Sequence, residues 1–219
     1  MFVAELLGTF TLVFAGTGAI VVDEVSGGRV GHVAIGLVFG LVVMAMIQTF
    51  GDVSGAHMNP AVTLAFRAAR KLSTRTAVLY IVAQLAGALL ASATLHFLFP
   101  ASQGLGGTLP AGSALQSFVL ELILSFLLML VILAVSTGSK ERGLMAGITI
   151  GGVVALEALF AGPICGASMN PARSLGPALV AQQLEYAWIY VFAPVLGMLL
   201  ALPACRLSGA PDCCTGECP

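Results

Sequence analysis

The feature that most restricts this chain is a heptapeptide carried twice. Gly55-Ala56-His57-Met58-Asn59-Pro60-Ala61 returns as Gly166-Ala167-Ser168-Met169-Asn170-Pro171-Ala172, identical at six of seven positions and 111 residues further on. A self-match of this kind marks two copies of one structural unit, and what lies between the copies fixes how the units sit. Apolar runs cover Leu6 to Val22, Val33 to Phe50, Ala77 to Phe99, Leu115 to Val135, Leu144 to Ala161 and Ala187 to Cys205. Each is close to the ~20 residues that a helix needs to cross ~30 Å of hydrocarbon. The chain is 58% hydrophobic and only 9% charged, against roughly 25% charged in a soluble domain, so a soluble fold is excluded. Six spans fall three to a repeat. Three is odd, so the second repeat lies upside down relative to the first, as in many transport proteins.

Further marks carry the same relation. Gly36 and Gly40 fall on Gly147 and Gly151 at the same offset, both at the small-xxx-small spacing that lets helices approach closely. Tyr80, Ala83 and Gly87 fall on Tyr190, Ala193 and Gly197 at an offset of 110, and Glu5 pairs with Glu121 at 116. The expected fold is an all-α polytopic membrane protein with six transmembrane helices and two re-entrant half-helices in two inverted repeats, about residues 1–100 and 113–207. A Cys-rich cytoplasmic tail, 208–219, follows.

The bases orient the chain if they collect on the cytoplasmic side. Arg67, Arg70, Lys71 and Arg75 follow the second span, Lys140 and Arg142 the fourth, and Arg206 the sixth, all on one face. The other face keeps Arg29 beside Asp23 and Glu24. Both termini are therefore expected in the cytoplasm, with a bacterial inner membrane as the expected location. The first run has no basic leader and already holds Glu5, so it reads as a retained helix, not a cleaved signal. Nine scattered bases make no nucleic-acid footprint.

Asn followed by Pro starts a helix, because Asn caps and Pro suits the first turn. Helices are expected from Asn59 and Asn170, and the apolar stretches Ala61 to Ala69 and Ala172 to Val180 are too short to span. Non-helical backbone at membrane depth is tolerated only where it is buried or lines a watery cavity, so the Gly-rich approaches imply a pore. The first copy enters from the cytoplasmic side and the second from the outer side, so the two can meet near the midplane. Their N-termini there place partial positive charge that disfavours cations and protons. The Asn amide donors are expected to face the lumen and pass a neutral, hydroxyl-bearing solute. Arg173 is a functional candidate because arginine within a membrane is costly; the plainer reading makes it a partner for Glu157 or for carbonyls.

These residues resemble the aquaporin, or major intrinsic protein, family over essentially the whole chain to about Arg206. The resemblance implies a channel domain over 1–207, a homotetramer with one pore per subunit, and selectivity set by pore width, lining groups and an excluding arginine, a mechanism already general for aquaporin-type pores. It implies pore motifs Asn59-Pro60-Ala61 and Asn170-Pro171-Ala172, and an outer constriction at Phe39, Ala158, Ala167 and Arg173. A water-only member has His at the position of Ala158, and its loss widens the constriction. Ser174 and Ala178 read as in water channels, whereas Tyr190-Val191 is closer to glycerol-permeable members. The strings around both motifs look most like the nodulin-like intrinsic proteins of plants and their bacterial relatives, which conduct glycerol and neutral metalloid hydroxides.

The resemblance also favours a structural role for Glu5 and Glu121, whose carboxylates would accept loop backbone bonds, over a proton relay. Glu157 is expected to hydrogen-bond behind Arg173, unless the register is off by one and it faces the lumen. His57 reads as a loop brace near the cytoplasmic mouth; His32 and His96 carry no readable signal. Cys165 and Cys205 read as packing residues. Cys213, Cys214 and Cys218 form a candidate thiol site for a soft metal or metalloid, although a ligand-free tail is preferred. The expected function is passive conduction of water and small uncharged solutes such as glycerol and arsenous, boric or silicic acid, with no cofactor and no enzymatic activity. A water-selective channel is the alternative, and a proton-coupled secondary transporter the more distant one.

Overall fold

The computed structural model describes residues 1–136 and 140–207. Among them the helices are α1 (Phe2–Ser26), α2 (Gly31–Ser54), α3 (Pro60–Ala68), α4 (Thr74–Leu98), α5 (Ala114–Ser136), α6 (Lys140–Cys165), α7 (Pro171–Val180) and α8 (Ala187–Leu207). All but α3 and α7 are long and apolar enough to cross a membrane. The helices outrun the apolar runs that announce them: α1 extends from Phe2 to Ser26, beyond Leu6 to Val22 at both ends. The hydropathic run reports hydrocarbon thickness, while the helix continues until its backbone is capped. Gly27, left-handed at φ 71°, donates back to the carbonyls of Asp23 and Glu24 and ends α1. The Asp23 carboxylate then accepts the N–H groups of Val30 and Gly31 at 2.9 and 2.8 Å and starts α2.

The packing follows the repeat. α1 lies on α4 as α5 lies on α8, α1 meets α2 as α5 meets α6, and α3 leans on α8 as α7 leans on α4. α2 and α6 cross each other at the centre, so exchanging the two halves preserves the arrangement, as an inverted repeat requires. Glycines set the closeness of these crossings. A Cβ on Gly40 would stand 2.5 Å from the Gly151 carbonyl oxygen, and one on Gly151 would stand 2.5 Å from that of Gly40. Gly87 rests on the Leu6 backbone, and its counterpart Gly197 on that of Leu122, with no room for a methyl group at either. Large apolar side chains such as Phe97, Leu115, Phe160 and Phe192 face outward, while Glu5, Glu121, Gln84 and Thr63 are fully buried. That distribution suits hydrocarbon outside and a hydrogen-bonded polar interior.

Candidate functional site

Both half-helices are built as their sequences predict. Asn59 caps α3 by accepting from Ala61 N–H at 2.9 Å, and Asn170 caps α7 by accepting from Ala172 and Arg173 N–H at 3.0 and 3.3 Å. Pro60 and Pro171 occupy the first turn, where an N–H would have no partner. The loops before them share one backbone path: Gly55, Ala56 and Met58 are left-handed, and so are Gly166, Ala167 and Met169. A left-handed conformation is unfavourable for Ala and Met, so something must hold it.

The buried acids do so. Glu5 accepts from the Ser54 hydroxyl at 2.7 Å, from His57 and Met58 N–H at 2.9 and 2.8 Å, and from Gln84 Nε2 at 2.7 Å. Glu121 accepts from Ser168 and Met169 N–H at 2.7 and 2.8 Å. Each carboxylate thus binds two consecutive loop N–H groups that precede the Asn cap and would otherwise be buried without a partner. The second cradle is the sparser one, because Cys165 stands at the repeat position of Ser54, and Pro194 at that of Gln84. His57 braces the first loop: its Nδ1 pairs with the Thr63 hydroxyl at 3.1 Å, and its ring stacks on Phe66 at 4.8 Å and meets Tyr80 edge-on.

The two asparagines meet, with one difference from the expectation that their amide donors face the lumen. Asn59 Nδ2 donates to the Met169 carbonyl at 2.7 Å, and Asn170 Nδ2 to the Met58 carbonyl at 2.8 Å. One hydrogen of each amide therefore joins the half-helices to each other, and only the second is left for the lumen. Left-handed Met58 and Met169 offer their carbonyls across the junction, which a reading of either copy alone does not reveal.

A cavity of about 940 Å³ passes this junction. Asn59, Asn170, Phe39, Ala158, Ala167 and Arg173 all line it, and it reaches Lys71, Ser73, Thr76 and Ser136 at the end bearing the basic loop. Arg173 lies over the Phe39 ring, with Cζ 5.0 Å from the centroid, a cation–π distance. The ring occupies the space that Gly16 leaves open. Pro60, Pro171, Ala61 and Ala172 are buried and do not line the cavity.

Glu157 departs from its expected role. It makes no bond to Arg173; both of its carboxylate oxygens are without a partner among the described residues, and it does not line the cavity. Arg173 Nη1 donates instead to the Gly106 carbonyl at 2.9 Å, in the long α4–α5 loop, because the first turn of α7 aims the guanidinium at that loop and away from α6. The register of α6 is the one expected, with Ala158 on the cavity. His32, silent in the sequence, has a structural role: Pro163 has no N–H to offer the Leu159 carbonyl one turn earlier, and His32 Nε2 donates to that carbonyl at 2.8 Å, directly beside Ala158. Cys165 is fully buried at the end of α6, and Cys205 is buried in the core. Cys213, Cys214 and Cys218 lie outside the described residues.

Residues 1–203 match the family model described as Major intrinsic protein. The chain is similar to Aquaporin NIP1-1 of Oryza sativa subsp. japonica, 46% identical over 196 residues that make up 89% of this chain and 69% of that protein. It is likewise similar to Nodulin-26 of Glycine max, 46% identical over 198 residues, 90% of this chain and 73% of that one. Among solved structures, the aquaglyceroporin from Plasmodium falciparum superposes with a TM-score of 0.83 at 27% identity, covering 94% of this chain and 93% of the other.

Proposed function

Because this chain belongs to the major intrinsic protein family, it is a multi-pass membrane channel and not an enzyme, and we propose that it conducts water together with glycerol-sized neutral solutes through the cavity at Asn59 and Asn170. The observation that carries this reading is the lining of that one cavity by both Asn-capped half-helices and by Phe39, Ala158, Ala167 and Arg173. Two helix N-termini converge on the junction, and their partial positive charge disfavours cations and protons. The remaining amide hydrogen of each Asn is a donor for a passing hydroxyl. Phe39 supplies an apolar wall, Arg173 a donor edge, and Ala158 and Ala167 leave width. Ala158 is the residue that admits solutes larger than water, glycerol and neutral metalloid hydroxides among them. The relatives named aquaporin and aquaglyceroporin agree with a path of this breadth.

Residues 1–207 constitute the channel domain, with the N-terminus and the tail from 208 on the cytoplasmic side as the basic loops require, and the working assembly is a homotetramer in the lipid bilayer. The expectation of a bacterial inner membrane gains no support from these plant relatives. A proton relay through Glu5 is disfavoured because both of its oxygens already accept two bonds each. The test is stopped-flow light scattering on proteoliposomes, comparing shrinkage in an impermeant osmolyte with re-swelling in glycerol, beside arsenite uptake by the same vesicles. Rapid re-swelling and arsenite entry are expected. Fast water flux with neither solute would reassign the protein as a water-selective channel, and uptake against a gradient driven by pH would reassign it as a coupled transporter.

A further inference from the structure

We propose that the hydrogen bond between Glu24 and Ser102 is a positioning latch for Arg173, so that these two residues outside the pore help set solute selectivity. The proposal rests on the reading of Arg173 as a selectivity residue. Arg173 is 3% exposed, and its Nε has no partner among the described residues, so the bond from Nη1 to the Gly106 carbonyl fixes where the guanidinium sits. Where that carbonyl points depends on a strained turn. Leu105 (φ 49°) and Gly106 (φ 67°) are consecutive left-handed residues, and Leu105 is buried at 1% exposure. A non-glycine residue persists in this region only when its surroundings over-determine it.

Neighbouring side chains supply those surroundings. The Ser102 hydroxyl accepts the Leu105 N–H at 3.3 Å and donates its own hydrogen to Glu24 Oε2 at 2.6 Å, so the turn hangs from the outer end of α1. Gly106 presses on α1 lower down, where a Cβ would stand 2.7 Å from the Thr17 carbonyl oxygen. On the far side, the Thr108 hydroxyl donates to Ser174 Oγ at 2.8 Å and ties the loop to α7. The carbonyl is thereby suspended between the first helix and the second half-helix. Without the Ser102 hydroxyl, nothing holds the Leu105 N–H, the turn relaxes toward ordinary backbone angles, and the guanidinium loses its fixed acceptor.

The experiment measures the ratio of glycerol to water permeability in proteoliposomes for S102A, E24A, E24Q, R173V and the double variant S102A/R173V. S102A and E24A are expected to shift the ratio by about twofold or more, the loss of one hydrogen bond's positioning. E24Q keeps a carbonyl acceptor for the Ser102 hydroxyl and should stay near wild type, which a purely charge-based or fold-wide effect would not give. S102A should add nothing in the R173V background. A shifted ratio in R173V with unshifted S102A and E24A would overturn the latch alone, as would equal S102A effects in both backgrounds. An unshifted ratio in R173V would overturn the selectivity role of Arg173, and the latch with it. Should S102A not assemble, E24A reports on the same bond from the α1 side.

Discussion

Replacing Glu5 or Glu121 with glutamine should destabilise the protein equally, although Glu5 accepts four hydrogen bonds from N–H and O–H donors and Glu121 two, with only the weak Cys165 thiol donor beside them. Glutamine keeps one oxygen and turns the other into a donor. At Glu121 the new NH2 must face either Ser168 N–H or Met169 N–H, and neither backbone group can turn away. At Glu5, an NH2 in place of Oε1 faces the Ser54 hydroxyl, which rotates, and the His57 N–H, which does not. In place of Oε2 it faces the Met58 N–H, which is fixed, and Gln84, whose Nε2 also donates to the Thr63 hydroxyl at 3.0 Å and cannot flip without losing that bond, so the NH2 settles at Oε1. Each variant therefore strands one buried backbone N–H, a loss of about 1–3 kcal/mol, or roughly 2–12 °C in unfolding midpoint at this chain length. Alanine removes all acceptors, so E5A should be worse than E121A by the two side-chain bonds, about 1–3 kcal/mol more. Thermal unfolding in detergent, followed by size exclusion, reads the midpoints. A drop for E5Q twice that for E121Q would refute the counting of fixed donors. Normal stability in E121Q with altered selectivity or pH-coupled uptake would refute the structural role of these acids.

Three further outcomes are expected. Ala158→His should cut glycerol re-swelling at least about tenfold while sparing water flux, since an imidazole narrows the constriction and one lost fit of this size is worth about 1–3 kcal/mol; unchanged glycerol flux would remove Ala158 from the selectivity set. Gly87→Ala and Gly197→Ala should each cost about 1–3 kcal/mol, because the added methyl meets rigid backbone across the helix pair, and unfolding midpoints equal to wild type would contradict that packing. His32→Ala should leave the Leu159 carbonyl without its donor and lower stability by about 1–2 kcal/mol, with the proteoliposome glycerol-to-water ratio moving as α6 relaxes beside Ala158; a neutral result in both assays would show that water replaces the ring.

The spans, the half-helices and their caps were legible because each rests on a local rule: apolar length, an Asn-Pro start, small residues at helix crossings. The doubling of the motif added the one long-range inference that sequence permits, that the copies face each other from opposite sides. What stayed hidden depends on backbone placed by distant elements. The Gly106 carbonyl that holds Arg173 sits in a loop with no periodicity, and only its left-handed turn aims it. The bonds from Asn59 and Asn170 to the Met169 and Met58 carbonyls require two loops to be seen at once. Glu157 was misread because adjacency in sequence to Ala158 suggested proximity to Arg173, whereas successive residues on a helix point about 100° apart. His32 was silent because the need it meets is created by Pro163, far along the chain.

The two acid cradles also bear on how such a chain is made. Glu5 takes its partners from Ser54, His57, Met58 and Gln84, and Glu121 from Ser168 and Met169, so neither carboxylate borrows a donor from the other half. When only the first three spans have left the ribosome, their one deeply buried acid, Glu5, already has all four donors it meets in the finished fold. The nascent half can rest in the bilayer without a stranded carboxyl group, waiting for a twin that brings its own donors.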